Sequence, residues 1–307
     1  MRDFGFFMLV ASLVASSPAL AQVLPDGAAC QVISFDLMDG KPMLPVVVNG
    51  TPGWMMFDNG TPDLAFFNRE AAPLSPGVAA GKGHAASGQE ILIEVTEPPV
   101  LTVGDRPVPL QPKVITGNFG FTRPAFGDAF MGFLGTPFVQ DHAFILDYDQ
   151  KQMTILRTAA DGTLTKAAPD QADILAEVHF ALWPGEQPTI AALLDDLPIL
   201  LDVDTGDAGT AYLRPETQQR LITSGAIRRN GDGIILSRLK FGGIAFSDVA
   251  LELVTAGGPE DHRSTGQSDW LRLGSNFLSV QPVLWSFPGR TLTLLRRESL
   301  SGWRCQT

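Results

Sequence analysis

The chain has 307 residues, 45% of them hydrophobic and 18% charged, with a formal net charge of −11. This is the composition of a globular protein rather than a disordered one, and the acidic balance disfavours nucleic acid and anionic membrane surfaces as partners. The length accommodates two domains of about 140 residues each.

Residues 1–21 read as an export signal: Arg2, an apolar segment over 4–14, then the small-residue pattern Ala19-x-Ala21. Cleavage there leaves a mature chain from Gln22 in the periplasm or the medium. The apolar segment is short of the ~20 residues that span a bilayer, and no later segment reads as a span. Two cysteines, Cys30 and Cys305, lie near opposite ends of the mature chain. An even count in an exported protein suggests a bridge tying the termini, two unpaired thiols being the alternative.

From 32 to 57 the pattern is β. Val46-Val47-Val48 enters an Asn49-Gly50 hairpin signal, and the returning strand ends at Asp58. A short helix is expected over 68–72. Residues 77–88, rich in Gly, Ala and Ser and including Gly81, Lys82, Gly83 and His84, precede strands at 90–95 and 101–103. Hairpins are expected over 143–156 and 282–295. Residues 158–173 are small, polar and aperiodic and read as a linker. Beyond it come strands over 174–183 and 189–194, a helix over 214–223 with Pro215 early and Gly225 at its end, and one strand over 234–241.

Two stretches carry the chemistry. Ile199 to Val203 is an apolar strand that delivers Asp204 to the turn Asp204-Thr205-Gly206, and Trp54 to Phe57 delivers Asp58 to Asp58-Asn59-Gly60-Thr61. Both aspartates follow strands suited to burial. An offset of 146 relates Asp58 to Asp204, and also Pro42 to Pro188, Asn49 to Asp195 and Pro52 to Pro198. Further on the offset is 139, relating Gly135 to Gly274 and Phe138 to Phe277. The chain is therefore read as an internal duplication.

On these residues the chain resembles the pepsin/retropepsin-like aspartic peptidases, in which each of two β lobes gives one Asp from an Asp-Thr/Ser-Gly turn and carries a later apolar-apolar-Gly element. Asp204-Thr205-Gly206 with Leu273-Gly274 fits that pattern. Asp58-Asn59-Gly60 departs from it at Asn59, and Asp207 stands where the family often has a small residue. The resemblance implies an all-β fold of two related barrel-like lobes with a few short helices, residues 22–157 and 174–307 being the lobes and 158–173 the linker.

The resemblance also implies a catalytic pair, Asp58 and Asp204, with closest oxygens ~3 Å apart around one shared proton. Asn59, Gly60, Thr61, Thr205 and Gly206 would support it, and Gly81, Lys82, Gly83 and His84 would form a flap over the substrate, a plain surface loop being the alternative. It places the chain ends close together, which favours the Cys30–Cys305 pairing. The expected activity is hydrolysis of peptides or unfolded proteins by a monomer. The alternative is an inactive module binding peptides or a partner protein in the same groove, for which Asn59 and Asp207 speak.

No metal or cofactor is expected. Asp202, Asp204 and Asp207 do not have calcium-loop spacing, the four histidines form no zinc motif, and no serine elbow is present.

Overall fold

The computed structural model describes residues 24, 27–85, 89–165, 169–182, 188–255, 269–302 and 305. The export signal, Gln22 and Trp183, and parts of the linker and of the flap region lie outside the described residues. The fold is all-β, with two large curled sheets and a few short helices. No helix among the described residues is long and apolar enough to cross a membrane.

Each lobe is one ten-stranded sheet, and the two repeat each other. In the first, Lys41–Val48 turns at Asn49-Gly50 into Thr51–Phe57. Both turn residues have positive φ, 46° and 82°, which the Asn-Gly pair tolerates. In the second, Pro188–Leu194 turns at Asp195 (φ 59°) into Leu197–Val203. The Asp-bearing strand then pairs in parallel with the later apolar strand: Met56 lies opposite Phe133 in the first lobe, and Asp202 opposite Arg272 in the second. Both offsets read from the sequence thus fall on structurally equivalent residues.

A third sheet, of six strands, draws on both halves. Cys30–Ser34, Gln152–Arg157 and His142–Asp147 come from the first half, and Val283–Ser286, Thr291–Leu295 and Ile174–His179 from the second. The halves join where Phe144 lies opposite Trp285, their rings stacked at 5.6 Å. The expected hairpins over 143–156 and 282–295 are two arms of this sheet. It also sets the chain ends side by side, and Cys30 and Cys305 form a disulfide with Cα atoms 5.7 Å apart. Such a bond is compatible with an exported protein. Its loop closes 275 residues of sequence separation, for which loop-entropy models give at most ~4–5 kcal/mol. Reduction is expected to lower the thermal midpoint by several degrees, and alkylation without reductant to leave the mass of the native protein unchanged.

The expected helix over 214–223 is Pro215–Ser224. It is preceded by Arg214 in an extended conformation and ended by Gly225 at φ 74°. Two expectations were not met. Residues 68–72 form the end of a strand and a turn, because Asn68 is already committed: its Nδ2 donates to the Phe130 carbonyl (2.8 Å) and its Oδ1 accepts from the Glu70 N–H (3.1 Å). Pro73 then disfavours a helical Ala72. The single strand over 234–241 is two, Gly233–Leu236 and Leu239–Phe241. The break between them is pinned by Ser237 N–H on the Ala226 carbonyl and by Arg238 on Asp195. The Gly/Ala/Ser-rich stretch, read as a flap or a plain surface loop, holds a strand, Val78–His84, paired with Glu90–Thr96. Its side chains are nearly all exposed, so backbone pairing rather than burial forms it.

Candidate active site

The two Asp turns meet between the lobes. Asp58 N–H donates to the Leu134 carbonyl (2.9 Å) and Asp204 N–H to the Leu273 carbonyl (2.8 Å), so each aspartate is fixed to its lobe's apolar-apolar-Gly element. The glycine of that element sits against the next turn residue in both lobes: a Cβ on Gly135 would collide with the Thr61 carbonyl, and one on Gly274 with the Asp207 carbonyl. Within each turn the Asp Oδ1 accepts the glycine N–H at 2.8 Å, Gly60 to Asp58 and Gly206 to Asp204. The turns also abut each other. A Cβ on Gly206 would lie 2.5 Å from the Asp58 Cγ, so only glycine admits the Asp58 carboxyl at this distance.

The cross-lobe lock is asymmetric in chemistry and complete in hydrogen bonds. Thr205 Oγ1 accepts from the Asn59 N–H (3.1 Å) and donates to the Phe57 carbonyl (2.8 Å). In return, Asn59 Oδ1 accepts from the Thr205 N–H (2.7 Å), and its Nδ2 donates to the Val203 carbonyl (2.9 Å). The amide divides between two atoms what the Thr hydroxyl does with one, and Asn59, 1% exposed, fills the interface. Asn59→Ala would leave the Thr205 N–H and the Val203 carbonyl buried and unpaired, at about 1–3 kcal/mol each. We expect a loss of roughly 2–6 kcal/mol in urea unfolding, whereas Asn59→Thr is expected to stay within about 1 kcal/mol of the parent, because a hydroxyl can make both bonds. A near-neutral Asn59→Ala would contradict this account.

Around the aspartates the lobes differ. Asp58 Oδ2 accepts from the Thr61 hydroxyl at 2.7 Å. The equivalent residue in the second lobe, Asp207, has no hydroxyl, and its Oδ1 takes the Gly209 N–H and the Thr210 hydroxyl instead. A guanidinium occupies the space. Arg272 Nη1 lies 3.1 Å from Asp204 Oδ2 and 3.7 Å from Asp207 Oδ2, and its Nη2 lies 2.7 Å from Asp202 Oδ2. Its Nε also reaches Asp202, at 3.0 Å. Asp202 is 1% and Arg272 8% exposed, so both charges lie out of bulk solvent.

Electrostatics follow. Burial pushes the Asp204 carboxyl well above the usual carboxylate range. Arg272 opposes that shift, while Asp58, Asp207 and Asp202 add to it. Burial alone would pull the Arg272 guanidinium down, but Asp202, Asp204 and Asp207 outweigh it and hold the group protonated. Tyr148 is raised as well, by burial first and the Asp204 charge second. Asp202, Asp204 and Asp207, weighed in the sequence as a calcium loop, face a guanidinium.

Both aspartates open onto one cleft of about 850 Å³. Its first-lobe side includes an apolar wall, Met56, Phe66, Phe119 and Phe133; the Phe119 ring meets those of Phe66 and Phe133 edge-on at 4.8 and 5.0 Å. Its second-lobe side carries Asp207, Thr210, Tyr212, Glu252 and Arg272. Of the flap residues, His84 lines the cleft. Gly81, Lys82 and Gly83 sit in the exposed hairpin strand, with Lys82 paired to Glu90 at 2.9 Å. Arg272 and the aromatic wall were missed in the sequence, although a signal existed: Asp202 and Arg272 each interrupt an apolar run at positions where the first half has Met56 and Phe133.

No protein-family model matches the chain, and no curated protein matches it. Among solved structures the chain is similar to the aspartic proteinase from Irpex lacteus. The TM-score is 0.58 at 12% identity, over 88% of this chain and 98% of that one. The fold is therefore pepsin-like; at this identity the likeness extends to the fold alone.

Proposed function

We propose that the protein is an exported aspartic endopeptidase, periplasmic or secreted after cleavage before Gln22, with residues 22–157 and 174–307 as its lobes and Asp58 and Asp204 as its catalytic pair. The observation that carries this reading is the interlocked turns, which put two carboxylates with matched glycine N–H bonds on the floor of one cleft. Two carboxylates so placed share a proton. The ionised member takes a proton from a water held between them, and that water attacks the scissile carbonyl. The protonated member polarises the carbonyl and then protonates the departing amine. An extended peptide would lie along the cleft beneath the paired strands Val78–His84 and Glu90–Thr96, with an apolar side chain against Phe66, Phe119 and Phe133. We treat the protein as a monomer.

A second reading, a peptide-binding module without turnover, is favoured by the Arg272 contact to Asp204, since a guanidinium on one carboxylate competes for its lone pairs. The test is cleavage of an unfolded protein at acidic and neutral pH, with and without a transition-state-mimicking aspartic peptidase inhibitor. Inhibitor-sensitive cleavage that is lost in Asp204→Asn supports the enzyme. Peptide binding without cleavage across the range supports the module.

A further inference from the structure

We propose that Arg272 is the positioning residue of Asp204: clamped by Asp202, it gives the outer oxygen of Asp204 the donor that Thr61 gives Asp58, and adds a positive charge. This rests on reading Asp58 and Asp204 as a working pair.

The argument is built on the internal repeat. Thr61 and Asp207 are equivalent, since Thr136 N–H donates to the Thr61 carbonyl (3.0 Å) and Ser275 N–H to the Asp207 carbonyl (2.9 Å). One lobe thus supplies a hydroxyl at this position and the other a carboxylate. Phe133 and Arg272 are also equivalent, each opposite the residue two before its Asp. An Arg in place of an apolar residue here would be costly to bury unless paired, and its partner is Asp202, in the register opposite it. The fork reaches Asp202 through Nε and Nη2, which leaves Nη1 for Asp204 at 3.1 Å. Three changes at one point of the repeat, Asp for Thr at 207, Arg for Phe at 272 and Asp for Met at 202, therefore form one device.

The device counters a specific problem. Asp204 lies in a dry place among carboxylates: Asp202 on its own strand, Asp207 on its own turn and Asp58 on the opposite turn. Tyr148 lies near, and Asp39, Lys41, His84 and Glu252 line the cleft beyond. Arg272 is the group that pulls the Asp204 carboxyl down against burial and these neighbours. Without it the pair would ionise only at higher pH. With it, the oxygen is held in place and the singly protonated state is reached at a lower pH.

The experiment is a carboxyl ¹³C NMR titration of the oxidised protein labelled at aspartate, with the pair's signals identified by their loss in Asp58→Asn and Asp204→Asn. Two variants remove the cation together with its buried partner: Asp202→Val/Arg272→Leu, apolar like the first lobe, and Asp202→Asn/Arg272→Gln, nearly isosteric. In both, the first proton loss of the pair is expected to move up by about 1 pH unit, because losing the Arg272 charge raises it and losing Asp202, the smallest of the carboxylate contributions, gives back only part. In the parent, the Arg272 Nε–H resonance is expected to shift with the same midpoint as the pair. Unchanged midpoints in a folded variant, or an Arg272 resonance indifferent to the pair's titration in the parent, would overturn the proposal. Neither readout needs turnover, so a protein that cleaves nothing ends the peptidase reading and leaves this test intact. Where cleavage is measured, the acid limb of kcat is expected to move with the pair while KM holds. A merely structural Arg272 would lower kcat and leave that limb in place.

Discussion

Asp204→Asn is expected to lose cleavage by ~10²–10⁴-fold or more, the range for removing a general acid–base, and yet to be at least as stable as the parent at neutral pH. The folded-state pKa of Asp204 is raised above its unfolded value, burial being the main cause. Below the unfolded value, about 3.9, the carboxyl is protonated in both states and costs nothing. As pH rises from there towards the folded value, the unfolded chain gives up its proton first, so stability falls. Above the folded value the whole cost is present. Asparagine has no such charge, and its amide oxygen can still accept the Gly206 N–H that Asp204 Oδ1 accepts at 2.8 Å, though its Nδ2 then faces Arg272 Nη1, a donor against a donor, which offsets part of the gain. Arg272 keeps Asp202 and Asp207 as partners. The stability of the variant should therefore fall less than the parent's as pH rises above the unfolded value. Thermal midpoints of both proteins across that range are the measurement. A variant less stable than the parent at neutral pH would mean that the ionised carboxylate contributes more through Arg272 than it loses through burial.

The candidate site was legible in the sequence where the repeat made it so. Two apolar runs ending in Asp-x-Gly at a constant offset fixed which aspartates to pair, and the offset carried over to Gly135 and Gly274. The Asn49-Gly50 signal was local chemistry and read correctly for that reason. What did not read was set by partners distant in sequence. Asn68 ends a strand because of Phe130, 62 residues away, and the break after Leu236 depends on Asp195, 43 residues before Arg238. Asn59 looked like a misfit by residue type, but the bonding of its amide depends on the geometry of the opposite turn. Arg272 could be seen in the string as a charge in an apolar run. That its fork reaches three carboxylates required the parallel pairing with Asp202.

The buried pair gives the second large effect. Arg272→Leu alone is expected to cost about 3–5 kcal/mol, the penalty for stranding a buried charge, because Asp202 at 1% exposure has no solvent to turn to. Asp202→Val alone should cost less, since the guanidinium retains Asp204 and Asp207 at 3.1 and 3.7 Å. Asp202→Val/Arg272→Leu should recover most of the loss and end within ~1–2 kcal/mol of the parent on either side, as buried pairs replaced by apolar ones often do. The first lobe holds Met56 and Phe133 at these positions, so the architecture accommodates an apolar pair. Urea unfolding of the four proteins at neutral pH, with m-values compared, closes the cycle. Additive single losses would show that the two charges are not coupled. If instead the double variant matches the parent, the pair adds little net stability. Its effect would then lie in what Arg272 does to Asp204, since the fold alone would be served as well by the apolar residues of the first lobe.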